Sequence, residues 1–181
     1  MTNASIEKKL LESYFLIQFE TFNEIRSALE EMFSPSAASV ILYESAKKCG
    51  GHLCERMMEK AQKREEALNR LSKLKLEENW GKISFRDVDL KKGYGKIWID
   101  HPFEMMACSD NQCGYAFIRG FLAGFLSKLF NRDMTVVNEK CNKEKKHCWL
   151  KFASSVALYA EEARRTRDNT IKEMSLKQEY Y

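Results

Sequence analysis

The chain has 181 residues, 44% hydrophobic and 31% charged, which suits one sizeable folded core and excludes a disordered polymer. Lys and Arg number 30 against 26 Asp and Glu, a net charge of +4 interspersed along the sequence without a basic block, so nucleic-acid binding is not expected. Glu7 and two lysines precede any apolar run, and the stretch 113–130 is broken by Arg119 and Lys128 well short of the roughly 20 residues of a membrane span; a soluble cytoplasmic protein is expected.

Residues 5–33 read as a helix. Leu10, Leu11, Tyr14 and Phe15 open an apolar stripe that Phe22, Ile25, Leu29, Met32 and Phe33 continue at three- and four-residue steps. Ser34-Pro35-Ser36 ends it, because proline disfavours helix in the residue before it. A second helix is predicted over residues 37–60 with Gly50-Gly51 inside it. Interior glycine costs about 1 kcal/mol relative to alanine, so close packing is the expected compensation. A third helix over 65–76 turns Leu68, Leu71, Leu74 and Leu76 inward.

At Trp80 the period changes. Ile83, Phe85 and Val88 alternate with polar residues, and Ile97 and Ile99 flank Trp98 beyond the turn Lys91-Lys92-Gly93-Tyr94-Gly95, which reads as a hairpin. Residues 113–130 form an apolar helix in which Gly120 and Gly124 mark a close approach to another element. Strands follow at 134–141 and 148–153 across a charged turn, and a helical tail from 156 to 178 closes the chain. Short links between neighbouring strands predict an antiparallel sheet of about four strands with helices packed on one face. The expected architecture is therefore a single α+β domain, 1–181, with its core in 36–153.

Cysteine placement carries the chemistry. In a reducing compartment cysteines are more often free, metal-bound or redox-active than disulfide-bonded. Cys141 and Cys148 flank the last turn, and Cys108 and Cys113 bracket the loop into the apolar helix. If the final hairpin lies over the start of that helix, four thiols converge, and zinc takes four such donors in a tetrahedron. The alternative is that Cys108 and Cys113 are small buried residues. His147 is a further candidate ligand, although neighbours in a strand point to opposite faces. Cys49 and Cys54, roughly 140° apart on one helix, read as buried small residues.

No phosphate-binding loop, nucleophile elbow, metalloprotease helix or Ser-His-Asp set is present, which argues against catalysis. Aromatic residues are abundant around the helix and hairpin. Trp98, Phe103, Phe117 and Phe121 are candidates to line an apolar ligand pocket, with plain core packing as the alternative.

One resemblance spans these features. The order Ile41-Leu42-Tyr43, Trp80-Gly81, Asp100-His-Pro-Phe103-Glu104, Cys113, Gly120-Phe-Leu-Ala-Gly124-Phe, Glu139-Lys-Cys141 and His147-Cys148-Trp-Leu-Lys-Phe152 resembles the 4-vinyl reductase domain family. That family is similar to the sensory domains of aromatic-hydrocarbon regulators and, in fold, to the TRAPP trafficking subunits. The resemblance covers residues 36–152 and implies a homodimer, a pocket for an apolar or aromatic molecule, and a structural zinc held by three cysteines and a glutamate. The cysteines fall on Cys113, Cys141 and Cys148. The glutamate position is Asn138 here, with Glu139 one residue out of phase, so Cys108 is the preferred fourth ligand. A non-catalytic ligand-binding or sensing domain acting through a separate signalling protein is the leading expectation. The alternatives are an accessory or reductase role in tetrapyrrole pigment synthesis, for which no nicotinamide or flavin fingerprint is present, a thiol redox sensor, and a structural dimer.

Overall fold

The computed structural model describes residues 18–59, 63–106, 114–142, 144–164 and 166. Helix α1 spans Phe19–Phe33 and α2 spans Pro35–Met58. Between them Ser34 adopts φ 133° and its hydroxyl accepts the Ala37 amide at 3.3 Å, so one residue ends α1 and caps α2, with Pro35 at the first helical position. The expected first turns of α1, residues 5–17, lie outside the described residues. The α1 stripe is only half interior. Phe22 is buried and Leu29 packs on the core, whereas Ile25, Met32 and Phe33 are exposed.

Helix α3 (Arg64–Glu77) buries Leu68, Leu71 and Leu74, but Leu76 points to solvent. Strands β1 (Lys82–Asp89) and β2 (Tyr94–Asp100) form the first hairpin, so Tyr94 and Gly95 open β2 rather than complete the turn. A single helical turn, α4 (Phe103–Met106), follows; no periodicity announces so short an element. Helix α5 (Ala116–Phe130) leads into β3 (Met134–Asn142) and β4 (His147–Ser154). A sixth helix, α6, occupies residues 155–164; the predicted tail beyond residue 166 is outside the described residues.

The sheet is four-stranded and antiparallel in the order β1-β2-β4-β3, joining the hairpins through their inner strands β2 and β4. Strand side chains alternate in direction. Ile83, Ile97, Ile99, Val136, Leu150 and Phe152 therefore share one face, and all are buried beneath the helices. One connected core runs from Phe22 to Phe152. Helix α6 turns back along the opposite face at the β3–β4 edge, where Lys151 pairs with Glu161. Among the described residues no helix is long and apolar enough to cross a membrane.

Helices α2 and α5 meet backbone to backbone. A Cβ added at Gly120 would overlap the Tyr43 carbonyl oxygen, and one at Gly124 the Lys47 carbonyl oxygen. From the other side, a Cβ at Gly50 would overlap the Phe121 carbonyl oxygen. Gly51 differs: its Cβ would find the flexible Lys128 side chain at 3.5 Å, ordinary contact. Adjacent substitutions should thus move stability in opposite directions. Gly50→Ala is expected to cost about 3 kcal/mol or more through overpacking, whereas Gly51→Ala should gain about 0.5–1 kcal/mol from helix propensity and the unfolded chain. Urea melts of the two variants check this, and a tolerated Gly50→Ala would contradict the packing described.

Candidate functional site

Three helices and one connecting segment deliver five aromatic rings to one end of the core. Phe22 comes from α1, Phe103 from α4, Phe117 and Phe121 from α5, and Trp80 from the link between α3 and β1. Trp80 lies 4.7 Å from Phe121, 5.2 Å from Phe103 and 5.6 Å from Phe117, centroid to centroid. Phe22 meets Phe103 and Phe117 edge-on at 5.2 and 5.3 Å, an arrangement that ring quadrupoles favour. The backbone places Trp80 with care. Asn79 and Gly81 on either side take φ 58° and 105°, the Trp80 amide donates to the Lys75 carbonyl at 2.9 Å, and its carbonyl accepts the Phe103 amide at 3.2 Å.

Inside this cluster sits a cation. Lys75 is 1% exposed, its Nζ 3.8 Å from the Trp80 ring centroid and 4.1 Å from that of Phe121. Glu78 accepts from the same nitrogen at 2.6 Å. Burial pushes the Lys75 amine below the ordinary lysine range, and Glu78 opposes that shift. Lys75 follows Leu68 and Leu71 at helical spacing, so its place on the apolar stripe was visible in the sequence; that the stripe ended beneath an indole ring was not.

A second buried charge sets the start of α5. Tyr115, the residue before the helix, is left-handed (φ 49°) and its side chain caps nothing. Glu104 supplies the missing acceptor from α4: Oε1 takes the Phe117 amide at 3.1 Å and Oε2 the Ile118 amide at 2.7 Å. A carboxylate there meets both the orphan amides and the positive end of the helix dipole. Burial raises the Glu104 carboxyl to about 7, against the pull of those amides and of Arg119 and Arg26.

Of the four residues expected to line a pocket, the structure brings together Phe103, Phe117 and Phe121. It places Trp98 on the opposite face of the sheet, where its ring lies 4.3 Å from His147 and 4.7 Å from Trp149. The reason is the two-residue period: Ile97 and Ile99 take the inner face, so Trp98 between them faces outward. Trp80, Phe22 and Lys75 complete the inner cluster in its stead.

Of the four cysteines expected to converge, Cys108 and Cys113 lie outside the described residues. Cys141 and Cys148 face each other across β3 and β4, Cα atoms 4.1 Å apart, and are joined as a disulfide. Cys148 is buried on the inner face, while His147 beside it turns outward to Trp98, so the two do not share a site. Glu139 is exposed at a bulge, where Asn138 pairs with Leu150 and Lys140 already pairs with Trp149. The Asn138 side-chain amide donates to the Gly114 carbonyl at 3.3 Å. Among the described residues no three His, Cys, Asp or Glu side chains form a metal-sized cluster. Cys54 is buried as expected, and burial pushes its thiol up to about 12; Cys49, expected inside, is exposed.

No protein-family model and no curated protein matches the chain. Solved structures do. The phenol-responsive sensory domain of the transcription activator PoxR, with phenol, aligns with a TM-score of 0.66 at 15% identity over 78% of this chain and 76% of that one. A vinyl-4-reductase family protein from Methanocaldococcus jannaschii gives 0.59 at 22% identity over 82% and 89%. A trafficking protein particle complex subunit 3 from Naegleria fowleri, covalently bound to palmitic acid, gives 0.51 at 12% identity over 76% and 95%. At these identities the likeness is one of fold: an α+β architecture of the 4-vinyl reductase and trafficking-subunit type.

A carboxyl whose pKa is higher in the folded than in the unfolded chain binds its proton more tightly when folded. The stability it contributes is full below about pH 4.5 and is lost as pH rises through about 7. Between about pH 5 and 8 the wild-type melting temperature should therefore fall more steeply than that of Glu104→Gln. Glu104→Ala, which strands two amides, should cost about 1–3 kcal/mol at any pH. Parallel pH slopes for wild type and Glu104→Gln would show that Glu104 does not titrate in this range.

Proposed function

We propose that the protein is a non-catalytic domain that binds or senses a small apolar or aromatic molecule at the cluster of Phe22, Trp80, Phe103, Phe117 and Phe121. The observation that carries this reading is the Lys75 ammonium, paired with Glu78 and held against two ring faces within a packed cluster of aromatic side chains. Ligand sites have this composition: apolar and aromatic walls with very few polar groups that fix orientation. A phenolic hydroxyl or a carboxylate entering the cluster would find its polar partner there. Support comes also from the fold, since the PoxR sensory domain responds to phenol and the Naegleria fowleri subunit carries palmitic acid. The chain would pass its signal through a homodimer or a separate protein; Met32, Phe33 and Val40, all more than half exposed near the α1–α2 corner, offer an apolar surface for such contact.

A thermal-shift series tests the reading. Phenol, alkylphenols and medium-chain fatty acids are expected to raise the melting temperature with concentration, as any ligand that prefers the folded state must. Lys75→Met leaves Glu78 buried without its cation and should cost about 3 kcal/mol. Lys75→Met/Glu78→Gln should recover much of that loss while no longer responding to phenols. A wild-type protein that none of these compounds stabilises would remove the main support.

The same reading includes a structural zinc bound by Cys108, Cys113, Cys141 and Cys148. Cys141 and Cys148 present two sulfurs side by side on the inner face, and Gly114, the neighbour of Cys113, is tied to β3 through Asn138. Both facts fit a shared site. The disulfide between Cys141 and Cys148 favours a second reading, a thiol redox sensor in which two electrons and two protons leave the pair on oxidation. Elemental analysis of protein purified under reductant separates them. The zinc reading expects about one zinc per chain, lost in Cys141→Ser. Metal-free protein whose Cys141–Cys148 bond forms and opens with peroxide and dithiol would favour the sensor.

A further inference from the structure

The outer face of the sheet is unlike the inner one. Strand register sets its side chains in transverse rows, and the central row reads Ser84, Trp98, Trp149, Lys140 across β1, β2, β4 and β3. The two indoles are cross-strand neighbours with centroids 4.7 Å apart, and the His147 ring lies 4.3 Å from Trp98 at an interplanar angle of 30°. The indoles meet edge to face at 62°, so three π systems adjoin on a face that, among the described residues, α6 covers only at the β3–β4 edge.

The next row is Arg86, Lys96 and Lys151, three cations directly opposite one another on adjacent strands. Like charges in that relation destabilise a sheet. Lys151 is relieved by Glu161 from α6. Arg86 and Lys96 meet no carboxylate among the described residues, nor does Lys140 on the other side of the tryptophans. The acids near this face are Asp87, exposed next to Arg86 at the β1 bulge, Asp100 opposite His147 at one end, Glu139 at the bulge of the outer strand, and Glu161 on the α6 side. Two cations of this row, Arg86 and Lys96, thus stand without a carboxylate partner beside the aromatic rings, a cost to the free protein that an anionic partner with planar rings would offset.

We propose that this face binds single-stranded nucleic acid, with bases stacking on Trp98, Trp149 and His147 and phosphates held by Arg86, Lys96 and Lys140. The charge complementarity selects an anion, and the rings select one whose planar faces are open. Base pairing hides those faces in a duplex, whereas a single strand offers them in alternation with phosphate, which is how aromatic and basic sheet surfaces capture unpaired strands. A second copy of the chain does not fit, because two faces of the same sign repel. A lipid surface fits less well, because both tryptophans are half-buried in the sheet. The sequence conceals the arrangement because its basic residues are dispersed among acids, and only strand register gathers them.

Fluorescence anisotropy of the full chain with a labelled, mixed-sequence strand of about 16 nucleotides tests this. Binding is expected for RNA or DNA single strands, weaker for the matched duplex, accompanied by quenching of tryptophan emission. The affinity should fall with salt with a log–log slope of about −0.7 for each phosphate contacted. Trp98→Leu should weaken binding about tenfold or more. Arg86→Gln/Lys96→Gln should weaken it, flatten the salt slope and slightly raise the melting temperature, because the like-charge row is relieved; this double variant carries the test should Trp98→Leu not fold. Lys48→Gln, on the exposed face of α2, should change neither affinity nor slope. No binding at low salt, duplex bound as tightly as single strand, no effect of the Arg86/Lys96 double variant, or capture instead by phosphatidylserine vesicles would each overturn the proposal.

Discussion

Helices α2 and α5 can approach as they do only because three glycines leave carbonyl oxygens as the nearest neighbours across the crossing. With the axes held that close, the rotation of α5 about its own axis is fixed. Gly120 and Gly124 face α2, and at 3.6 residues per turn Ile118, Leu122, Phe125 and Leu129 fall on the far side, where they bury against the sheet. Phe117 and Phe121 lie beside the glycine stripe, and so point into the corner where α1, α3 and α4 converge. The position of the candidate site is thus a consequence of helix packing rather than of any residue within it.

That corner holds two buried ionisable groups within a few residues of the same rings. Lys75 is accommodated by two ring faces and one carboxylate, Glu104 by two helix amides. Desolvating either charge costs several kcal/mol unless it is paired, and at Lys75 only replacing it together with Glu78 by uncharged side chains would spare that cost. Lys75 is held by the rings of Trp80 and Phe121 and by Glu78. Glu104, by contrast, has a structural duty that accounts for its burial, since it takes the amides that Tyr115 leaves uncapped.

The sheet separates two chemistries by the thickness of one backbone. Its inner face, roofed by helices, is aliphatic and aromatic and carries the Cys141–Cys148 pair where the second hairpin closes. Its outer face carries rings and cations, and among the described residues α6 covers it at the β3–β4 edge. Because β2 and β4 are both central, their alternation serves both surfaces: Ile97, Ile99, Leu150 and Phe152 go inward while Lys96, Trp98, Trp149 and Lys151 go outward.

Much of this was legible without coordinates. Apolar periodicity located α2, α3 and both hairpins to within a few residues but not the short α4, and of the glycines expected at a close approach Gly50, Gly120 and Gly124 meet one while Gly51 does not, because spacing is a local property of the chain. The sequence also determined which residue types were available for a site: a surplus of rings, six cysteines in three close pairs, and no catalytic signature. Tertiary structure alone decided which of them meet. Trp98 was grouped with Phe103, Phe117 and Phe121 on composition, but a strand sends neighbours to opposite faces, and the side taken by Ile97 and Ile99 sent Trp98 away. Lys75 acquired its setting from Trp80 and Phe121, residues on other elements. Charges that look evenly mixed along the chain became a cationic row through register. Spacing along a chain fixes direction only within one helix or strand; which faces meet across elements depends on packing between segments far apart in sequence, and no local pattern encodes that.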